Sequence, residues 1–171
     1  VPNGVDKEFA VLQMRPMALD RETESIEISE LNKEQVICYT DNLLGVGSLN
    51  SIHDILYVDI NQYDRSRSHE TALEIEKFNQ MLSEQKRPYI LFGVGRWGSA
   101  DPWLGIPVNW DQISGARVIV ETGFADLVVE PSQGTHFFHN LTAFSVGYFS
   151  VKAGSDSSWI DWEWLGSQRS H

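Results

Sequence analysis

Residues 52–92 read IHDILYVDINQYDRSRSHETALEIEKFNQMLSEQKRPYILF, and this stretch decides the fold. The segment Ile52–Ile60 has the apolar density of a strand that is covered on both faces. From Ser68 to Lys86, apolar residues recur at the spacing of an amphipathic helix, and Pro88–Phe92 is again apolar and strand-like. The helical apolar residues are Ala72, Ile75, Phe78 and Leu82. The stretch therefore predicts a strand, a long helix and a second strand in succession.

Both ends of the predicted helix carry boundary residues. Ser68 is a residue type that caps helix starts, and Glu70 places a negative charge in the first turn, where the helix dipole favours it. The sequence Lys86-Arg87-Pro88 predicts the end of the helix, because proline cannot continue it.

Further segments that alternate or run apolar predict strands separated by Gly, Pro and Ser turns. They are Val36–Tyr39, Ala116–Glu121, Asp126–Glu130, Ala143–Val151 and Trp159–Trp164. One long helix among this many strands predicts an α+β domain with a mixed, β-rich sheet.

The chain divides into three regions at the level of sequence. Residues 1–17 contain an apolar strand-like run, Glu8–Met14, which is ended by Arg15-Pro16 and looks like the end of another domain. Residues 18–34 are polar and charge-rich and predict a linker, with one short strand at Ile26–Ile28. Residues 35–171 form the α+β domain. This opening predicts that the chain is a fragment of a longer protein.

Charge excludes some classes of partner. The chain has 171 residues and a formal net charge of -11, which repels a polyanion over most of the surface. We therefore expect no nucleic-acid partner. No run of the sequence approaches the length of a membrane span, so we expect no membrane partner. A small phosphorylated ligand remains possible because one Arg beside backbone N–H groups outweighs a distant negative field, and a homo-oligomer is also left open.

Cys38 is the only cysteine, so the chain forms no intramolecular disulfide and no cysteine-based metal site. It lies in an apolar-leaning run, which predicts a buried, inert thiol. We expect a cytoplasmic protein, and we assign no metal ligand.

The glycine-rich segment Gly93–Pro107 is the first candidate site. It contains a literal G-x-G-x-x-G after a strand, but Pro102 and Pro107 would interrupt the helix that a dinucleotide-binding fold requires. Glycines also admit a ligand close to the backbone or take a positive φ. The predicted ligand-binding residues here are Gly93, Gly95, Arg96, Ser99 and Asp101. The alternative is a tight structural loop in which Arg96 pairs with Asp101 and tryptophans cover the core.

A second candidate site is the turn Pro131–Asn140. Thr135 and His136 precede two aromatic residues, where the histidine would act as an acid, base, phosphoryl acceptor or ligand. His136 and His139 would point to opposite faces of an extended segment, which disfavours a shared metal. The alternative is a hydrogen-bonded structural histidine.

The tryptophans favour core and interface packing over sugar binding. In the predicted strand Trp159–Trp164, residues Trp159, Trp162 and Trp164 are placed on one shared face, which suits a second sheet or a partner domain.

Two stretches resemble a known family. The sequence Phe9-Ala10-Val11-Leu12-Gln13-Met14-Arg15-Pro16 resembles the strand that ends the ATP-grasp domain of phosphoenolpyruvate synthase and pyruvate phosphate dikinase. Gly93–Trp110 together with Gly134–Asn140 looks like the C-terminal region of bacterial proteins similar to phosphoenolpyruvate synthase. Within it, Leu104-Gly105-Ile106-Pro107 echoes the end of the family's phosphohistidine motif, and Gly134-Thr135-His136 is the nearest counterpart of its start.

The resemblance implies roles for individual residues. Gln13 and Arg15 match positions near ATP and its metal, and His136 is the candidate catalytic residue. ATP and Mg²⁺ are implied for the full-length family, in which a swivelling β/β/α domain carries a phosphoryl group to pyruvate. No cofactor is assigned to this chain alone.

Two functions follow as hypotheses. In the first, the chain is the C-terminal domain of a phosphoenolpyruvate synthase-like phosphotransferase, binds a phosphorylated ligand and is not catalytic alone. In the second, it is a non-catalytic docking or oligomerisation module. In both, the other domains of the parent protein are its partners.

Overall fold

The computed structural model describes residues 35–45, 48–123, 140–141, 143–152, 154–155 and 157–168. The described strands are β1 (Cys38–Thr40), β2 (Leu43–Leu44), β3 (Asp54–Tyr57), β4 (Tyr89–Val94), β5 (Arg96–Trp97), β6 (Gly105–Ile106), β7 (Ala116–Thr122), β8 (Gly147–Val151) and β9 (Ser158–Ile160). The α-helices are α1 (Ser68–Glu84) and α2 (Trp162–Ser167), and 3-10 turns span Arg65–Arg67 and Trp110–Ile113. One long helix and a mixed sheet confirm the predicted α+β class.

A five-stranded sheet in the order β2-β8-β7-β4-β3 forms the centre of the domain. Strands β3, β4, β7 and β8 run parallel, and β2 pairs antiparallel with β8. In the register, Leu56 lies opposite Leu91, and Leu91 lies opposite Ile119. Two small sheets, β1 with β9 and β5 with β6, accompany it. The central strands read as continuous apolar runs because a parallel strand is buried on both faces.

Each face of the sheet has its own core. Side chains alternate along a strand, so Leu91 and Phe92 of β4 contribute to opposite faces. On one face, α1 and the connection between β4 and β7 pack against the sheet. The core on this face includes Ala72, Ile75, Leu82, Leu91, Trp97, Ile106, Ile113 and Ile119. On the other face β1, β9 and α2 cover Phe92, Val120 and Val151. Even the edge strand β3 contributes to both cores, as its apolar run predicts.

A buried amide fixes α1 against the sheet. Asn79 is a polar residue on the buried side of the helix, and its Oδ1 accepts the hydroxyl of Tyr89 at 2.9 Å and the backbone N–H of Gly115 at 2.9 Å. Its Nδ2 donates to the carbonyl of Asp111 at 3.0 Å. A buried polar side chain with all these partners specifies one position of the helix on the sheet.

The predicted cap at Ser68 is wrong, although the helix starts at that residue. The 3-10 turn Arg65–Arg67 leads directly into α1, so Ser68 is the first helical residue. Its fully buried hydroxyl has no hydrogen-bond partner among the residues that the structure describes. Asp64 instead caps the 3-10 turn by accepting the backbone N–H of Ser66 at 2.9 Å. Glu70 lies in the first turn as predicted.

The helix ends earlier than the predicted Lys86. It stops at Glu84, after which Lys86 takes a positive φ of 55°. The N–H of Arg87 then donates to the carbonyl of Leu82 at 2.8 Å. This bond is typical of an α-helix that ends at a residue in the left-handed conformation.

Two strand predictions near the C-terminus need correction. Strand β8 begins at Gly147 and not at Ala143, because Phe144 and Val146 donate their N–H groups back to the carbonyls of Asn140 and Leu141, both at 2.9 Å.

The predicted strand Trp159–Trp164 is also wrong beyond Ile160. The Asp161 carboxylate accepts the backbone N–H of Trp164 at 2.8 Å and starts helix α2. The prediction that the three tryptophans share one strand face is therefore wrong. Trp159 lies three residues before Trp162 and would point to the opposite face even of a continuous strand. The segments predicted within residues 1–34 and at Asp126–Glu130 lie outside the described residues.

Candidate functional site

The glycine-rich segment follows β4, at the carboxyl edge of the parallel strands. Gly95 and Gly98 take positive φ values of 72° and 77°, which the sequence anticipated as one use of glycine. Gly93 has a different role, because a Cβ atom there would lie 2.1 Å from the ring of Trp97. The indole of Trp97, only 1% exposed, packs directly against Gly93.

The backbone N–H groups of this loop are occupied within the chain. Those of Gly95 and Arg96 donate to the carbonyls of Thr122 and Leu104 at 2.7 and 2.8 Å. The N–H of Gly98 donates to the carbonyl of Ile106 at 2.8 Å. An anion cradle requires N–H groups that point at the ligand, so these three are not available to form one.

The remaining backbone N–H of residues 95–98, that of Trp97, donates to a buried carboxylate. Glu121, at the end of β7 and only 4% exposed, accepts it through Oε1 at 2.9 Å, and its Oε2 accepts the hydroxyl of Tyr148. The indole N–H of Trp97 donates to the carbonyl of Val120 at 3.2 Å. Glu121 therefore ties the loop after β4 to both β7 and β8. Sequence reasoning placed Glu121 in a strand but did not assign it this role.

The polar side chains of the loop also form local contacts. Ser99 Oγ donates to the carbonyl of Asp101 at 3.0 Å and accepts the N–H of Asp101 at 3.2 Å. The Asp101 carboxylate accepts the N–H of Trp103 at 2.9 Å, which holds a turn and is not the predicted pairing with Arg96. Arg96 is half-buried in β5, three residues before Ser99.

The other predicted site residues lie outside the described residues. They are Gln13, Arg15, Thr135, His136 and His139. The G-x-G-x-x-G run is not followed by a helix: residues Arg96–Trp97 form β5, and a turn follows at Gly98. This matches the expectation that Pro102 and Pro107 prevent the helix of a dinucleotide site.

The order of the parallel strands is also informative. Ligands in open α/β sheets commonly bind in the crevice where the strand order reverses. Here β3, β4, β7 and β8 are neighbours in chain order, so the order of the described parallel strands does not reverse. The sheet thus lacks, within its described part, the usual crevice for a nucleotide.

An open groove lies beside the edge strand β3. It has a volume of about 300 Å³ and is lined by the end of β3, the segment that follows it and the first half of α1. Its apolar part consists of Leu56, Val58, Ile75 and the partly exposed Phe78. We call this feature the β3–α1 groove.

The rim of the β3–α1 groove is acidic. Four carboxylates line it, from Asp59, Asp64, Glu70 and Glu74, against one guanidinium, from Arg67. The hydrogen bonds from Ser66 lower the pKa of Asp64, and the hydrogen bond from Arg67 lowers the pKa of Glu70, so both stay ionised at neutral pH. The groove therefore combines an apolar floor with a net negative rim.

Sequence reasoning did not identify the groove. Its acidic residues occur around a turn and on the outer side of a helix, where charged side chains usually face solvent. A usable signal was their position directly after a parallel strand and in the first turns of the helix that follows it.

Three further properties of the described residues concern metal binding, the cysteine and membrane crossing. In the portion of the chain that the structure describes, no three His, Cys, Asp or Glu side chains lie close enough to share a metal ion. Burial raises the pKa of the Cys38 thiol to about 12, which agrees with the predicted inert cysteine. No helix in the described ranges has the length and apolar character needed to cross a bilayer.

Comparison of the chain with protein-family models, curated proteins and solved structures finds no match.

Proposed function

We propose that this chain is the C-terminal part of a phosphoenolpyruvate synthase-like multidomain protein and serves there as a non-catalytic docking module. Its partners are the other domains of the parent protein. The resemblance of residues 93–110 supports the parent family. The proposal places the protein in the cytoplasm, with which the single cysteine is compatible.

One observation carries the docking role. Every backbone N–H from Gly95 to Gly98 donates to an acceptor of the same chain, either a carbonyl or the Glu121 carboxylate. The glycine-rich loop is therefore a structural brace between β4, β7 and β8. The β3–α1 groove, in contrast, is open and has apolar and charged side chains on its surface.

A phosphorylated small molecule is the second candidate partner. The observation that favours it is the position of Arg96 and Ser99, which follow the carboxyl end of the central strand β4. A guanidinium and a hydroxyl bind phosphate without backbone N–H groups. In this version the parent is a phosphotransferase with ATP and Mg²⁺, and His136 is its phosphoryl carrier.

A thermal-shift panel distinguishes the two functions. The chain and its Arg96→Ala variant are melted with phosphate, ATP, phosphoenolpyruvate and pyruvate, each with and without Mg²⁺. A ligand at 100 times its dissociation constant stabilises the folded state by about 2.7 kcal/mol, which raises the melting temperature measurably. The docking proposal predicts no shift with any of these ligands.

A shift that occurs in the wild-type chain and is lost in Arg96→Ala would overturn the docking proposal in favour of the phosphate site. Lys152→Ala is the matched control, because it removes one exposed cation elsewhere on the domain. A shift that is lost equally in both variants would indicate general attraction of the anion to basic side chains.

A further inference from the structure

We propose that the β3–α1 groove binds an extended segment of another domain of the parent protein, and that this segment presents basic and apolar residues on one face. This inference rests on the proposed docking function and names its surface and the chemistry of its partner. Three observations support it: the outer edge of β3, with which no other described strand pairs, an apolar floor and the charge of the rim.

The free edge of β3 is suited to a further strand. In the described sheet β3 is the last strand and pairs only with β4. The N–H of Val58 points toward β4, since it donates to the carbonyl of Phe92 at 3.0 Å. Backbone groups alternate in direction along a strand, so those of Ile55 and Tyr57 point to the open side. An extended peptide adds to such an edge through main-chain hydrogen bonds.

The apolar floor accounts for the apolar side chains of the bound segment. A strand added beside β3 would direct alternate side chains toward α1, over Leu56, Ile75 and Phe78. Phe78 is 39% exposed in the free chain, so its cover would remove apolar surface from water. The added strand would therefore present apolar residues at these positions.

The rim determines the charge of the partner. Asp59, Asp64, Glu70 and Glu74 face a single cation, Arg67, around the groove. Like charges brought together across an interface are strongly unfavourable, whereas lysine or arginine side chains would be attracted to this rim. The segment is thus cationic as well as apolar.

The chain itself does not supply such a segment. Its net charge of -11 disfavours a second copy as the occupant. Residues 1–34 carry four basic and eight acidic side chains, and residues 124–139 carry no Lys or Arg at all. The occupant is therefore a segment of another domain of the parent protein, as the proposed docking function requires.

Fluorescence anisotropy with synthetic peptides tests the proposal. The probe, the Lys-Val peptide, is a labelled repeat of Lys-Ser-Val-Ser, which places Lys and Val on one face of a strand. The controls are the matching Glu-Val peptide, with Glu in place of Lys, and the Lys-Ser peptide, with Ser in place of Val. Measurements are made at about 0.15 M salt, where the Debye length of about 8 Å screens the distant charges of the chain. We expect measurable binding of the Lys-Val peptide alone.

A matched pair of double variants locates the binding. Reversing two rim charges in Glu70→Lys with Glu74→Lys should weaken binding by about tenfold or more. Asp41→Lys with Glu163→Lys changes the net charge of the chain equally, outside the groove, and should change affinity less than about twofold. All four side chains are exposed, so neither pair disturbs the core.

Three results would overturn the groove assignment: absence of binding, equal weakening in both double variants, or equal affinity for the Lys-Ser peptide. None of them depends on the small-ligand panel. A negative peptide result with a negative panel rejects this groove but leaves a docking function at another surface. A phosphate site at Arg96 rejects the docking function whatever the peptides do.

Discussion

The segments that follow β3 and β4 both lie at the carboxyl edge of the sheet, but they use their polar groups in opposite ways. After β4, the backbone N–H groups of residues 95–98 donate to carbonyls of the same chain or, from Trp97, to the buried carboxylate of Glu121. After β3, the carboxylates of Asp59, Asp64, Glu70 and Glu74 surround an open groove. Glycine-rich sequence therefore marks a closed brace here, and an ordinary charged turn marks the open surface.

A sequence motif is informative only when the hydrogen-bond partners of its residues are known. Glycines after a strand suggest an anion site when their N–H groups are unoccupied. In this chain the glycines bring the backbone close to the ring of Trp97 and to the carbonyls that accept the loop N–H groups.

Replacing Gly93 with Ala should destabilise the domain most. The new Cβ would lie 2.1 Å from the buried Trp97 ring, so the indole or the strand must shift, at a cost of about 3 kcal/mol. Chemical denaturation of the variant measures this. Gly166→Ala is the control: nothing lies within 4 Å of that position in α2, and we expect a gain of up to about 1 kcal/mol from helix propensity. Similar stability of the two variants would contradict a closed loop.

Replacing Glu121 with Gln should cost about 2 kcal/mol of unfolding free energy. The carboxylate accepts from Trp97 through one oxygen and from Tyr148 through the other, whereas an amide offers only one acceptor oxygen. One buried donor then loses its partner. Glu163→Gln, at an exposed position of α2, is the control and should be neutral. A neutral Glu121→Gln variant would show that the brace does not depend on this side chain.

Replacing Ser68 with Ala should raise the free energy of unfolding of the domain. The Ser68 hydroxyl, at the first residue of α1, is buried without a partner in the described part of the chain, and an unsatisfied buried hydroxyl costs about 1 kcal/mol or more. Ser83→Ala, at an exposed position of the same helix, controls for the higher helix propensity of alanine. The expected result of thermal and urea melts is a gain larger by about 1 kcal/mol for Ser68→Ala than for Ser83→Ala. Equal gains would mean that the hydroxyl is solvated.

The smallest effect concerns the pH dependence of the rim. The hydrogen bond from Arg67 lowers the pKa of Glu70 below its ordinary value of 4.5, so the pair stabilises the folded chain above that value. The stabilisation is lost as the pH falls through the lower folded pKa. The melting temperature of Glu70→Gln should thus lie slightly below that of the wild type from neutral pH to about pH 5, and the two should converge under more acidic conditions. A difference that grows with acid would reverse the sign and contradict the pairing.

The sequence predicted the central unit well. The apolar spacing of Ala72, Ile75 and Leu82 predicted α1, and all three are buried in its core. The apolar runs on either side predicted β3 and β4 because parallel strands bury both faces. This part of the fold rests on periodic burial, which a sequence displays directly.

Other features depend on contacts that periodicity does not encode. The spacing of Trp162 and Trp164 fits a strand, but Asp161 starts a helix there by accepting a backbone N–H. The glycine loop was correctly expected to contain positive φ values, yet its role depends on Glu121, which lies far away in sequence. The groove depends on the parallel pairing of β3 with β4 and on the position of α1 above them, so its charged residues look unremarkable in the sequence alone.

The most direct measurement is a two-dimensional amide NMR titration of the chain, first with phosphoenolpyruvate and Mg²⁺ and then with the Lys-Val peptide. The account predicts no change at Gly95–Gly98 with phosphoenolpyruvate, and changes with the peptide at Tyr57, Asp59, Glu70 and Glu74. Shifts at Gly95–Gly98 on addition of phosphoenolpyruvate, with none around the groove on addition of peptide, would contradict it.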